Sequence, residues 1–206
     1  MMQPNVLIPC KALSESKSRL SQLLPAAARY DLCVWLLERT ITLAKTIAPA
    51  RHIFLVSVDA TAVIRARAHG VSVIAHPGDL NDALTAARAR IMRVCHSDEA
   101  LIVLPIDLVR ADEAALRNAM RTSQVTIIPD GARSGTNLLA LSGDAAGEFP
   151  FRFGPSSFTR HRDAAQKANY SLSVVDDPVL AFDLDSPEDY LHAERLGYLR
   201  ALEIAS

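Results

Sequence analysis

Cysteine is scarce, with three in 206 residues. Cys10, Cys33 and Cys95 are odd in number and far apart, with no CxxC pair, which excludes a disulfide framework and a cysteine zinc site. Reduced thiols in a cytosolic protein are expected. No apolar run is long enough to span a bilayer, and Met1 to Leu7 lacks the basic patch and apolar stretch of an export signal, so a soluble, cytoplasmic chain without a membrane partner is expected. Charge of one sign is lacking too: 22 Lys and Arg face 23 Asp and Glu, a formal net charge of −1, which provides no field for a nucleic-acid partner. GxxxxGK[ST] and GxGxxG are absent, which excludes a P-loop enzyme and an ordinary dinucleotide binder. No GxSxG elbow surrounds Ser157, although His161 lies one helical turn beyond it, so a serine hydrolase has little support. There is no internal repeat and no low-complexity linker.

What is present is alternation. A chain of 206 residues suffices for one buried core, and one domain is expected. Short apolar runs at Val6–Pro9, His52–Val58, Val71–Ala75 and Ala100–Pro105 read as strands. Leu32, Leu36, Leu43 and Ile47 recur at helical spacing, as do Leu80, Leu84, Ala87, Ile91 and Val94. Trp35, on the first long helix, reads as core. Strands alternating with helices predict an α/β fold, a mostly parallel sheet flanked by helices on both faces. After residue 123 the pattern changes: Gln124–Pro129 and Asn137–Leu141 read as strands joined by a polar loop, then Phe158–Ala168 as a helix and Ser171–Val175 as a strand. The front part, about residues 1–123, is expected to bind nucleotide and the later part an acceptor. Asp144–Pro150 reads as a mobile loop.

The loop after the first strand carries Lys11, Lys17 and Arg19. Ligands of open parallel sheets lie beyond the carboxyl ends of strands, so these cations either hold a triphosphate or form a solvated basic turn. Leu101–Ile106 delivers Asp107 at a strand's end. Asp183 and Asp185 are two apart, which in an extended segment places both on one side. Three such carboxylates suit Mg²⁺ bridging nucleotide phosphates; alternatively, Asp185 or Ser186 caps the helix that begins at Pro187. Asn81 either caps a helix or presents its amide to a purine edge. Gly135-Thr136-Asn137 and Gly154-Pro155-Ser156-Ser157-Phe158 read together as anion-binding backbone turns, against separate readings of Gly135 as a turn residue and Ser156 as a cap.

Taken in order, Pro9-Cys10-Lys11 with Lys17-Ser18-Arg19-Leu20, Leu80-Asn81-x-Ala83-Leu84, Leu104-Pro105-x-Asp107-Leu108, Gly135-Thr136-Asn137, Gly154-Pro155-x-Ser157-Phe158 with His161, and Asp183-x-Asp185-x-Pro187-x-Asp189 resemble the guanylyltransferases of coenzyme F420 biosynthesis. The resemblance runs from Val6 to about Leu191. It implies a single-domain Rossmann-like nucleotidyltransferase fold, similar to the nucleotide-diphospho-sugar transferases. It also implies transfer of GMP from GTP to a phosphorylated three-carbon acid (2-phospho-L-lactate, phosphoenolpyruvate or 3-phospho-D-glycerate) with release of pyrophosphate. The roles it implies are metal binding for Asp107, Asp183 and Asp185, and acceptor binding for Thr136, Gly154 and Ser157. Nucleotide binding falls to Pro9, Lys11, Lys17, Arg19 and Asn81, with Lys17 and Arg19 neutralising charge during transfer. Val109 stands where the family usually has proline, which bears on acceptor preference. Rival readings are a nucleotidyltransferase for a sugar phosphate or molybdopterin, and a nucleotide-binding regulator without turnover.

Overall fold

The computed structural model describes residues 3–93, 100–120 and 123–199. Among these residues seven strands form one sheet: β1 (Asn5–Pro9), β2 (Ile53–Val56), β3 (Ser72–Ile74), β4 (Leu101–Val103), β5 (Val125–Pro129), β6 (Thr136–Leu141) and β7 (Leu172–Val174). Their order is β3-β2-β1-β4-β6-β5-β7. Only β6 runs antiparallel to its neighbours, β4 and β5. The close succession of strands after residue 123 is this β5–β6 hairpin, tight enough to force an antiparallel return.

Alternation along the strands decides which helix covers which face. Val6 and Ile8 of β1 pack with Ile53, Leu55 and Ile102 on one side, whereas Leu7 packs with Phe54, Val56, Leu101 and Val103 on the other. The first face is covered by α1 (Ala26–Ile47), α2 (Ala60–Ala68), α4 (Glu113–Ala119) and α7 (Pro187–Arg195); the second by α3 (Leu80–Ile91), α5 (Asp144–Glu148) and α6 (Ser157–Lys167). Trp35 is a half-buried residue packed against the first core. Cys10 and Cys33 are buried free thiols, and Cys95 lies outside the described residues, as does Val94. Among the described residues no helix is long and apolar enough to cross a membrane.

The expected mobile loop at Asp144–Pro150 is instead α5 followed by a buried Phe149. Ala145, Ala146 and Phe149 join the second core, and that burial outweighs the glycine and acidic residues that suggested a loop. The helices α2 and α4 have short apolar stripes that sequence periodicity passes over, and each is started by an aspartate: Asp59 accepts from the Ala62 amide and Asp112 from the Ala115 amide.

Candidate active site

Strand β1 has β2 on one side and β4 on the other, all parallel, so the crevice beyond its carboxyl end is the switch point where open α/β sheets bind ligands. Pro9 ends β1 there, half-buried and paired with Val56. The following segment folds into two short 3-10 turns, Leu13–Glu15 and Ser18–Gln22, whose buried Leu13 and Leu20 anchor it to the core. Asp59 fixes it from outside, since its second carboxylate oxygen accepts from the Leu13 amide at 3.0 Å while the first caps α2.

Lys17, in a left-handed conformation between the turns, points inward rather than to solvent. Its side chain is 6% exposed, and its ammonium lies 3.0 Å from Asp107 and 2.7 Å from Asp185. Of the two expectations for Lys17, the solvated basic turn does not hold, because the anchors at Leu13 and Leu20 turn the loop against the acidic cluster. Burial disfavours its charge, but Asp107 and Asp185 more than reverse this and hold its proton more firmly than in a free lysine. Arg19 is 76% exposed, 3.5 Å from the other oxygen of Asp185. Lys11 is exposed.

The aspartates converge through the backbone. The Asp107 carbonyl, beyond the end of β4, accepts from the Leu184 amide at 3.1 Å, and Leu184 is fully buried between Asp183 and Asp185. The same carbonyl accepts from the Val109 amide at 2.8 Å, a bond that a proline in that position could not donate. Asp185 is left free of capping duty because Ser186 and Asp189 form the capping box of α7. Burial pushes the Asp185 carboxyl up, but Lys17 foremost, then Arg19 and Lys11, bring it below its ordinary value. Asp183 goes the other way, up to about 6, through burial and then the neighbouring Asp107 charge, against the amide of Asn137, 3.2 Å from its oxygen.

Among the described residues no three His, Cys, Asp or Glu side chains stand as a preformed metal cage, and none forms an ion pair with Asp183. One half-buried carboxylate lacking a countercharge beside two that share a lysine fits Mg²⁺, which takes one or two carboxylates and completes its shell with phosphates and water.

Because β6 is antiparallel, its first residues lie at the carboxyl end of β4, beside this cluster. Thr136 opens β6 and is buried, and its neighbour Asn137 reaches Asp183. The two turns meet here: the Thr136 amide donates to Ser157 Oγ at 2.8 Å, and the Phe158 amide to the Ser134 carbonyl at 3.2 Å. The expected cradle of free backbone N–H groups is not what forms in the first turn. The Asp130 carboxylate takes the amides of Ser134 and Gly135, both at 2.8 Å, as an anion supplied by the chain itself. Gly135 is needed for this, since a Cβ there would lie 2.8 Å from that carboxylate. Ser156 occupies the N-cap position of α6 with φ 55° and makes no side-chain cap. The cap reading fails because a capping side chain reaches the first helix amides from an extended backbone, and that of Ser156 is left-handed. What remain at the turn are the hydroxyls of Thr136 and Ser157 beside Gly154, which has φ +111° and open space where a Cβ would be.

Asn81 does not take the capping role. Asp79 caps α3, accepting from the Asn81 and Asp82 amides. The Asn81 carboxamide pairs with both polar groups of Phe153, accepting from its N–H at 2.7 Å and donating to its carbonyl at 3.1 Å. These two bonds use one donor and one lone pair of the carboxamide and clamp the segment leading into Gly154. Asp59, Asp130 and Asn137 were given no role from the sequence. A buried Asn in an apolar strand is the one visible signal among them.

Residues 4–197 match the family described as Guanylyl transferase CofC like. The phosphoenolpyruvate guanylyltransferase of Rubrobacter xylanophilus is 37% identical over 196 residues, covering 93% of this chain and 93% of that protein. The phosphoenolpyruvate guanylyltransferase of Chloroflexus aggregans is 37% identical over 202 residues, covering 92% and 98%. Among solved structures, a 4-diphosphocytidyl-2C-methyl-D-erythritol synthase has a TM-score of 0.65 at 12% identity, covering 95% of this chain and 99% of the other. A cytidylyltransferase of Leptospira borgpetersenii has a TM-score of 0.59 at 12% identity, covering 92% and 84%; these two bear on the fold alone. With the family match spanning nearly every element that builds the cluster, this chain belongs to the CofC-like guanylyl transferases and is a nucleotidyltransferase.

Proposed function

We propose that the protein transfers GMP from GTP to the phosphate of a phosphorylated three-carbon acid, releasing pyrophosphate, in coenzyme F420 biosynthesis in the cytoplasm. Phosphoenolpyruvate is the first acceptor to test, because relatives covering the whole site bear that name; 2-phospho-L-lactate and 3-phospho-D-glycerate are the alternatives. The observation that carries this reading is the cluster of Lys17, Asp107, Asp183 and Asp185, joined through Asn137 to the hydroxyl-bearing turn of Thr136 and Ser157. One half suits a nucleotide with its metal, and the other an anionic acid.

An oxygen of the acid's phosphate attacks the α-phosphorus of GTP while the bond to the β-phosphate oxygen breaks. That nucleophile is already anionic, so no strong general base is required, and rate comes from positioning and charge neutralisation. Asp183 and Asp185, with Asp107, are the residues that would hold Mg²⁺, which supplies charge neutralisation on the phosphates. Lys17 and Arg19 contribute positive charge on the nucleotide side, with Lys11 and Pro9 at the mouth. Thr136, Ser157 and the open face of Gly154 receive the acid. The deciding experiment is a pyrophosphate-release screen of GTP, ATP, CTP and UTP against the three acids, with and without Mg²⁺. Release with GTP and one acid supports the proposal. Release only with another nucleotide, or with none despite nucleotide binding, refutes it.

A further inference from the structure

His161 is fully buried on α6 and touches both turns. The Arg152 amide lies 2.9 Å from its Nε2, and since an N–H can only donate, Nε2 must present its lone pair. Burial first, then Arg160 and Arg152, push the imidazole pKa down to about 4, so the ring is neutral and its one proton is on Nδ1. Nδ1 lies 2.9 Å from Thr136 Oγ1 and donates to it. The Thr136 hydroxyl is thereby an acceptor toward His161, and its own proton is left for another partner. Ser157 is in the same state, its Oγ accepting from the Thr136 amide. Among the described residues neither hydroxyl has a second partner.

The geometry points to His161 as a positioning residue: its Nδ1–H fixes the Thr136 hydroxyl as a donor, so that Thr136 and Ser157 offer two protons to one anionic group of the acid, phosphate or carboxylate. The inference rests on the acceptor reading given above. Hydroxyls already filled as acceptors favour a group that has only lone pairs over a neutral one that must also donate.

Two substitutions separate the ring nitrogens. His161→Asn places an amide N–H near the position of Nδ1 and keeps a donor for Thr136, whereas His161→Gln places a carbonyl near Nε2 and keeps only the acceptor for Arg152. His161→Gln is expected to raise the KM for the acid roughly tenfold or more, as loss of a bond ordering a charged contact does, with the KM for GTP little changed. His161→Asn is expected to stay much closer to the original enzyme. The opposite order, or equal effects, overturns the inference and leaves His161 as an anchor for Arg152 alone. Adding His161→Gln to Thr136→Val is expected to raise the acid KM no further, because both act through one hydroxyl; additive losses count against it. Ring nitrogen chemical shifts of the unmodified protein test the same point without turnover: a protonated Nδ1 is expected, and a protonated Nε2 overturns the inference. If the unmodified enzyme uses GTP with none of the acids, the guanylyl-transfer reading falls, while the tautomer measurement still decides the role of His161.

Discussion

At the scale of single residues, the two cations of the first loop part company. Lys17 is buried against two carboxylates, so Lys17→Ala leaves a cluster of three acids without its internal countercharge. Removing one partner of a fully buried pair typically costs about 3–5 kcal/mol, and the partial exposure of Asp107 and Asp185 makes the loss here smaller than that. Lys17→Ala should therefore lose turnover and also melt earlier without ligand, whereas Arg19→Ala should weaken GTP use with its unliganded melting temperature nearly unchanged. Equal melting temperatures for the two variants would contradict the buried position of Lys17. His161 allows a pH prediction. Its pKa falls from 6.5 to about 4 on folding, so the unfolded chain binds more protons in that window, and stability present above pH 6.5 is lost as pH falls toward 4. The full loss is about 3 kcal/mol from the 6.5-to-4 shift. Asp183, raised to about 6, acts with the opposite sign, gaining stability as pH falls. The measurement is therefore a difference: urea unfolding of the protein and of His161→Gln at pH 7 and at pH 4.5. The protein containing His161 should lose more stability on acidification, and parallel pH profiles would show that the imidazole is not held neutral.

At the scale of elements, the proposed acceptor side is a meeting of two turns that neither sequence string specifies alone. Asn81, at the start of α3, holds both polar groups of Phe153, and His161 holds the amide of Arg152. The positive φ of Gly154 follows directly. Asn81→Ala removes two hydrogen bonds and should destabilise the fold by about 1–3 kcal/mol, while raising the KM for the acid more than that for GTP. Gly154→Val adds a side chain in a conformation that L-residues rarely adopt and projects it into the open space at the turn, so it should abolish use of the acid. Two-substrate kinetics with urea unfolding checks both. A rise in the GTP constant alone for Asn81→Ala would return that residue to the nucleotide side.

At the scale of the molecule, the cluster of Lys17, Asp107, Asp183 and Asp185 draws on the loop after β1, the loop after β4 and the segment before α7, so binding of the proposed metal and nucleotide there would be coupled to the whole fold. A ligand that binds only the folded protein stabilises it by about 2.7 kcal/mol at a hundred times its dissociation constant. GTP with Mg²⁺ should raise the melting temperature by several degrees, more than GTP with chelator. In Asp185→Asn the metal-dependent increment should largely vanish. An increment unaffected by that substitution would remove Asp185 from the proposed ligands and leave it as the partner of Lys17 and Arg19.

Local pattern determined a good deal. Each of the seven strands was legible as a short apolar run, which a sheet covered by helices on both faces buries along its whole length in β2 and β5; α1 and α3 were legible from stripes at helical spacing, and α7 from its start at Pro187. The spacing of Asp183 and Asp185 leaves the apolar Leu184 between them, and that residue is fully buried while both aspartates stay half-buried. The order of the motif strings carried the family, since nearly the whole chain takes part in the match. Tertiary structure decided the rest: that Lys17 turns inward, that Asp130 fills the first turn, that Asn81 serves Phe153, that Asp144–Glu148 is helical, and that His161 orders Thr136. Each depends on a partner between 4 and 168 residues away or on burial against a distant element. A short polar side chain has several partners of similar strength available to it, and sequence spacing does not choose among them. The antiparallel return of β6 makes that choice, because it brings the start of one strand to the end of another and so sets which donor meets which acceptor.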